Sequence, residues 1–253
     1  MAHSISPLLH NNTIQNLKLD ACYIRTFLEN GEDIIRKFNQ LKLDGANVTV
    51  PYKENAYLLC DEDRGISKDI GAVNTLVKEK GEIIGYNTDA PGFLESIKSF
   101  KNIKSALILG AGGTAKAIAF ILRKNGIVPT ILNRSSKRLI FFKENNFQSF
   151  SWDDFIEERY DLVINTTSAG LKDENLPLEK NLLNQIMQNS NYAFDVIYGK
   201  STPFIKLAHK NKLSTKDGSQ MLINQAVFAF NLFYQNRFDT KVIESYMGKA
   251  SFL

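Results

Sequence analysis

Between residues 106 and 132 the chain reads as an apolar strand, a glycine turn, an amphipathic helix and a second apolar strand: Ala106 to Leu109, Gly110-Ala111-Gly112-Gly113, Thr114 to Lys124, and Val128 to Leu132. Parallel strands need a crossover of about this length, nearly always right-handed, so the stretch commits its part of the chain to an α/β layer structure. The turn itself has the pattern Gly110-x-Gly112-x-x-Ala115. Gly110 permits a tight turn, Gly112 lets the backbone approach a pyrophosphate, and Ala115 allows close helix packing while the helix amides face the anion. At the end of the second strand, where an acidic residue would accept the ribose hydroxyls of NAD, the chain has Asn133-Arg134-Ser135. Arg134, with Arg138 one turn on and Ser135, suits a 2′-phosphate that an aspartate would repel, so the pattern favours NADP.

The rest of the chain alternates in the same way. Ser6-Pro7 starts a helix through about Leu17; Ala21 to Thr26 is a strand candidate; Asp33 to Leu41 places Ile34, Ile35, Phe38 and Leu41 on one helical face. Ala46 to Val50 is a strand stopped by Pro51, which leads into a helix carrying Lys53 in its first turn. Ala72 to Val77 and Ile83 to Tyr86 flank a hairpin-like Lys80-Gly81, and Thr88-Asp89 caps a helix to about Phe100. Beyond the βαβ unit come strands Leu162 to Asn165 and Ala193 to Val196, then helices Pro203 to Asn211, Met221 to Tyr234 and Thr240 to Met247. The expected fold class is α/β in two domains joined by the helix from Asp89. One is a substrate domain with a mostly parallel sheet, the other a Rossmann-type doubly wound domain. With 253 residues, 43% of them hydrophobic, both can hold a core.

Composition narrows the function. The net charge of +4 is spread without a basic block, which argues against nucleic acid as a partner. The longest apolar runs, such as Ala117 to Leu122, fall far short of the roughly 20 residues of a bilayer span, and no charged leader opens the chain. A cytoplasmic protein with no membrane partner is expected. Cys22 and Cys60 read as reduced thiols, and His3, His10 and His209 lack metal-ligand spacing, so no metal is expected.

Three segments supply groups for a small polyhydroxylated molecule: Asn47-Val48-Thr49-Val50-Pro51-Tyr52-Lys53, Gly71-Ala72-Val73-Asn74-Thr75 and Gly85-Tyr86-Asn87-Thr88-Asp89. Lys53 and Asp89 form a candidate proton-transfer pair. A lysine in a first helical turn opposes the helix dipole, and so invites a functional explanation.

In order along the chain, these motifs resemble the shikimate dehydrogenase family. The match opens at His3-Ser4-Ile5-Ser6-Pro7-Leu8-Leu9-His10-Asn11 and passes through the three segments above, the glycine turn and Asn133-Arg134. It continues with Asn165-Thr166-Thr167-Ser168-Ala169-Gly170, Asp195-Val196-Ile197-Tyr198, Thr202-Pro203 and Asp217-Gly218-Ser219-Gln220-Met221-Leu222 with Gln225. The resemblance implies reversible NADPH-dependent reduction of 3-dehydroshikimate to shikimate, in chorismate and aromatic amino-acid biosynthesis. It implies that Ser4 and Ser6, assisted by Tyr198, bind the ring carboxylate, and that Thr49, Lys53, Asn74, Asp89 and Gln225 surround the ring hydroxyls and the reacting carbonyl. Lys53 can supply both the proton and the positive charge that the alkoxide left by hydride transfer needs, and Asp89 can hold the lysine and a substrate hydroxyl and relay protons, which leaves either group as the immediate donor.

On the cofactor side the resemblance implies Gly110, Ala111, Gly112, Gly113 and Thr114 at the pyrophosphate and Asn133, Arg134, Ser135 and Arg138 at the adenosine phosphate. Thr167 and Ser168 would line the cleft, Ile197 and Met221 would pack on the nicotinamide, and Gly218 would permit close approach. The implied domains are 1–100 with 219–253 for substrate and 101–218 for NADP. Several positions also have a purely structural reading: Ser6 and Asp89 as helix caps, Asn74 as a turn residue, Gln225 as an exposed helical residue.

The family's additional first strand and G-x-P-type turn do not precede the opening motif in this sequence, and the loss of a central strand would expose an edge. Two other readings stay open: a quinate/shikimate dehydrogenase using NAD or NADP, and a noncatalytic NADP-binding sensor. A sensor needs no proton donor, so Lys53 with Asp89 argues against it. Monomer and homodimer are equally compatible with the sequence.

Overall fold

The computed structural model describes residues 4–156 and 158–250; His3, at the head of the opening motif, lies outside them. The chain forms two compact units, one running up to Phe93 and resuming at Leu222, the other Leu94–Met221.

The first unit contains α1 (Ser6–Asn16), α2 (Ile34–Gln40), β1 (Gly45–Asn47), α3 (Lys53–Leu59), β2 (Glu62–Asp63), α4 (Ser67–Ile70), β3 (Thr75–Glu79), β4 (Glu82–Tyr86) and the start of α5 (Asp89–Ser96). Its sheet has the order β1-β3-β4-β2. This corrects the expectation of a mostly parallel sheet, because β1 with β3 and β3 with β4 are antiparallel and only β2 with β4 is parallel. The reason is local: Lys80 and Gly81 both take positive φ, 50° and 96°, the pair of left-handed residues a two-residue hairpin turn requires. A hairpin of that kind can only be antiparallel.

The strand expected at Ala21 to Thr26 is also absent; that segment has no regular structure. The Asn11 side chain takes both backbone groups of Tyr23, donating to its carbonyl at 2.9 Å and accepting its N–H at 2.7 Å, so they are unavailable to a ladder. Ile34, Phe38, Ala56, Val73, Leu76 and Ile83 make one buried cluster in this unit. Pro51 does not begin a helix; it follows a cis peptide, and α3 starts two residues later at Lys53.

The second unit runs through β5 (Ser105–Leu109), α6 (Gly113–Lys124), β6 (Val128–Asn133), α7 (Ile140–Glu144), β7 (Gln148–Ser151), β8 (Leu162–Asn165), α8 (Lys180–Gln188), β9 (Tyr192–Asp195), α9 (Pro203–Lys210) and β10 (Ser214–Lys216). All six strands are parallel in the order β10-β9-β8-β5-β6-β7. That is the doubly wound order, with the chain reversing direction across the sheet between β5 and β8, where such folds bind ligands at the strands' carboxyl ends. Strands buried on both faces read as continuous apolar runs, as in Ala106 to Leu109 and Leu162 to Ile164.

The chain re-enters the first unit within α10 (Ser219–Phe233) and continues into α11 (Thr240–Ala250). There Ile223, Ala226, Val227 and Phe230 of α10, Ile243 and Met247 of α11, and Leu9 and Ile14 of α1 share a second buried cluster. Fully burying a leucine, isoleucine or phenylalanine contributes about 1.5–3 kcal/mol, so these contacts bind the two ends of the sequence into one body.

Candidate active site

In the first unit, Lys53, Asn74 and Asp89 come from the starts of α3, β3 and α5 to one place. Lys53 Nζ donates to Asp89 Oδ2 at 2.5 Å, and Asn74 Nδ2 donates to Asp89 Oδ1 at 2.9 Å. Both carboxylate oxygens are therefore engaged. The lysine and aspartate side chains are only 15% and 13% exposed. The N-terminus of α3 disfavours a cation by about 0.3–1 kcal/mol, which the carboxylate at the favourable N-terminus of α5 offsets. Among the described residues Asp89 is the sole acceptor for the ammonium group, which leaves two N–H groups for a ligand.

The other substrate-side positions take distinct places. Ser4 Oγ lies 3.2 Å from Ser6 Oγ and accepts the Ser6 N–H at 3.3 Å, at the mouth of α1. Ile5, not Ser6, occupies the N-cap position of α1, and the Ser6 hydroxyl, which accepts from Ser4 Oγ, is not committed to capping the helix. Thr49 is half-buried, between β1 and Lys53, and its carbonyl accepts the Tyr52 N–H. Gln225, on α10, is half-buried and its amide donates to its own helix at Leu222 O, 2.8 Å. Its backbone lies against Gly92, where an added Cβ would stand 2.9 Å from Gln225 N, and Asn224 Nδ2 donates to Gly92 O at 3.2 Å. Gly92 is one turn on from Asp89, so this close helix contact brings Gln225 toward the start of α5. Tyr198 belongs to the second unit, in the loop after β9, and is 42% exposed.

In the second unit the cofactor-side residues line the carboxyl ends of the strands. Gly110 follows β5 with φ 108°, a conformation open to glycine, and an added Cβ would meet Thr166 Oγ1 at 2.6 Å. Ala111 and Ala115 are buried, whereas nothing stands within 4 Å of an added Cβ at Gly112 or Gly113. Gly112 caps α6 without any side-chain hydrogen bond, and no acidic residue occupies the first turn, where Thr114 lies half-buried. Free helix amides, a positive dipole end and space beside two glycines fit a pyrophosphate.

Beyond β6, Asn133 Nδ2 donates to Ser135 O at 3.0 Å, and Arg134, Ser135 and Arg138 are exposed. Among the described residues neither arginine has a carboxylate partner, so both are available to a phosphate. Thr167 is anchored through its N–H and hydroxyl to Asn165 Oδ1, at 3.0 and 2.8 Å, beside the exposed Ser168. Ile197 and Met221 are buried, and Gly218 N donates to Ile197 O at 3.2 Å. An added Cβ at Gly218 would meet Val196 O at 2.2 Å, so the close approach expected there is to the chain's own backbone.

Sequence reasoning gave Asp195 no role, yet it ties these loops together. Its carboxylate accepts from Asn165 Nδ2 at 3.0 Å, Ile197 N at 3.1 Å and Thr202 Oγ1 at 2.5 Å. Burial pushes its carboxyl above the usual carboxylate range against the pull of those donors. The signal was available: Asn165 and Asp195 each end an apolar strand, and the two pair directly in register across β8 and β9.

Among the described residues no helix is long and apolar enough to cross a membrane and no cluster of three metal-ligating side chains occurs. A family model described as the shikimate dehydrogenase substrate binding domain matches residues 1–76. A shikimate dehydrogenase (NADP(+)) of Helicobacter hepaticus is 46% identical over 246 residues, covering 96% of this chain and 91% of that protein. The Helicobacter pylori (strain ATCC 700392 / 26695) protein of the same name is 45% identical over 238 residues, covering 91% and 88%. The crystal structure of shikimate 5-dehydrogenase from Thermus thermophilus in complex with NADP(H) and shikimate aligns with a TM-score of 0.84 at 32% identity, covering 98% of this chain and 95% of that one.

Proposed function

Since the chain belongs to the shikimate dehydrogenase family, we propose that it catalyses the reversible NADPH-dependent reduction of 3-dehydroshikimate to shikimate, a step of chorismate and aromatic amino-acid biosynthesis. The Lys53–Asp89–Asn74 cluster carries this reading, because it offers a proton and a positive charge beside a fixed carboxylate. We assign substrate binding to the first unit, up to Phe93 and from Leu222, and NADP binding to Leu94–Met221, in place of the expected bounds 1–100 with 219–253 and 101–218.

The glycine turn would hold NADPH, which when bound would supply a hydride for reduction of the ring ketone. Gly110, Ala111, Gly112, Gly113 and Thr114 hold the pyrophosphate on the α6 amides, and Asn133, Arg134, Ser135 and Arg138 take the 2′-phosphate end. Thr167, Ser168, Ile197, Gly218 and Met221 shape the nicotinamide side. Ser4 and Ser6 bind the ring carboxylate, and Thr49, Asn74 and Gln225 bind ring hydroxyls. Lys53 Nζ stabilises the oxygen that becomes negative as the carbon is reduced and delivers the proton that completes the alcohol. Asp89 holds the ammonium in place and accepts from a ring hydroxyl. The free thiols of Cys22 and Cys60 suit the cytoplasm, where we place the enzyme.

The test is reduction of NADP by the purified protein with shikimate, followed by nicotinamide absorbance beside quinate and beside NAD. Turnover with shikimate and NADP is expected. Preference for quinate or NAD would move the chain to the broader dehydrogenase class, and cofactor binding without turnover of either substrate would make it a sensor.

A further inference from the structure

Five residues of the matched motifs have no part in the chemistry above: His10, Asn11, Asn47, Thr75 and Thr88. The structure joins them. Asn11 clamps the backbone of Tyr23, and the His10 ring stacks on the Tyr23 ring at 4.2 Å. Held so, Tyr23 donates its hydroxyl to Asn47 Oδ1 at 2.9 Å; burial pushes that hydroxyl's pKa up to about 12, so it stays protonated. Asn47 Nδ2 donates to Thr75 Oγ1 at 3.1 Å and toward the carbonyl of residue 74 at 3.5 Å, a group that can only accept. Thr75, already accepting from Asn47, turns its proton to Asn74 Oδ1 at 3.0 Å. Asn74 Nδ2 then donates to Asp89 Oδ1, and Lys53 meets the other oxygen. Every donor in the line points from Tyr23 toward Asp89.

Direction matters because an asparagine amide is nearly symmetric in shape and opposite in chemistry at its two ends. Turned over, Asn74 would aim its oxygen at the Asp89 carboxylate. The Thr88 N–H at 2.7 Å and the Thr75 hydroxyl at 3.0 Å, with the Thr88 hydroxyl more distant at 3.2 Å, are the donors that hold its oxygen away. Thr75 is fully buried and Thr88 and Asn74 nearly so, which leaves no water to substitute for a missing donor. We propose that Thr75, supported by Asn47 and Tyr23, is a positioning residue that fixes Asn74 and through it the Asp89–Lys53 pair. The inference rests on the proton-transfer role given to that pair.

The experiment compares Thr75→Val, which keeps shape and loses the hydroxyl, with Thr75→Ser, which keeps the hydroxyl. Tyr23→Phe serves as a milder break further up the line, with the ring stack retained. Thr75→Val is expected to lower kcat with shikimate roughly tenfold at unchanged KM for NADP, and Thr75→Ser to restore it. In an Asp89→Asn background the Thr75→Val change should alter kcat by less than about twofold, because a residue acting through Asp89 has nothing further to remove. A second readout needs no turnover: acylation of Lys53 by an amine-reactive reagent, followed by peptide mass spectrometry, should speed up several-fold in Thr75→Val and Tyr23→Phe but not in Thr75→Ser. Wild-type labelling rates in Thr75→Val, or a full tenfold kcat effect persisting beside Asp89→Asn, would overturn the positioning role. Wild-type protein inert to shikimate would instead overturn the proposed reaction, and the labelling comparison would still decide the role of Thr75.

Discussion

His10 makes the acid stability of the first unit calculable. The ring is 1% exposed, stacked between Tyr23 and Phe230, and its Nδ1 has no hydrogen-bond partner among the described residues. Burial lowers its pKa from 6.5 to about 3. A depressed folded-state pKa means that the unfolded chain binds the proton first, so the stability is present above pH 6.5 and is lost as pH falls toward 3. At pH 5 the solution is about 1.5 pH units below the unfolded imidazole's pKa, so the loss is about 2 kcal/mol at roughly 1.36 kcal/mol per unit, whereas at pH 7 the loss is close to zero. His10→Phe keeps a ring in the stack and removes the titration. Urea-unfolding free energies of both proteins, measured by far-ultraviolet circular dichroism at pH 7 and pH 5, should show the wild type losing about 2 kcal/mol more than the variant. Carboxylates elsewhere titrate in both proteins and cancel. Equal losses would refute the reasoning, because they would mean that the folded protein accepts a protonated His10.

Lys53→Ala should lower kcat by roughly 10²- to 10⁴-fold, the usual span for loss of a general acid, with the dissociation constant for NADP unchanged by titration calorimetry. Arg134→Ala should raise the KM for NADP roughly 10- to 100-fold, the worth of hydrogen bonds to a charged group, and leave that for NAD alone; an equal rise for both would remove Arg134 from the 2′-phosphate. Gly112→Ala and Gly218→Ala should separate ligand space from structural space. The first adds a methyl to open space at φ −93°, so its unfolding free energy should change by less than about 0.5 kcal/mol while NADP affinity falls at least about tenfold. The second drives a methyl against the Val196 carbonyl and should cost about 1–3 kcal/mol by thermal melting with no ligand present; an unchanged melting temperature would contradict the contact.

The second unit was the more legible from sequence because its structure is local. β8 spans the expected Leu162 to Asn165, and α6 begins one residue before the expected Thr114. There the glycine turn, the apolar strands and the helix lie in consecutive residues, and period, turn chemistry and burial all agree. The first unit was less so. The apolar run Ala21 to Ile24 is real, but a strand exists only where a neighbour accepts its hydrogen bonds, and Asn11 takes those of Tyr23. Gly92 carries no signal of its own in the sequence, and only its contact with Gln225 shows why a side chain there would meet the neighbouring backbone.

Sequence by itself determined the α/β class, the parallel sheet built from the glycine-turn unit, and the chemical inventory of lysine, aspartate, asparagine and arginine at the ends of elements. Those follow from periodicity and from residue type, which act over a few neighbouring positions. Tertiary structure alone decided the antiparallel pairing in the first unit and the joining of Asn165 with Asp195 across two strands. It also decided that Tyr23, Asn47, Thr75, Asn74 and Asp89 form one directed line of hydrogen bonds. A donor's acceptor is set by what folding brings within about 3 Å, and Asn47 and Thr75 meet although they stand 28 positions apart in the chain.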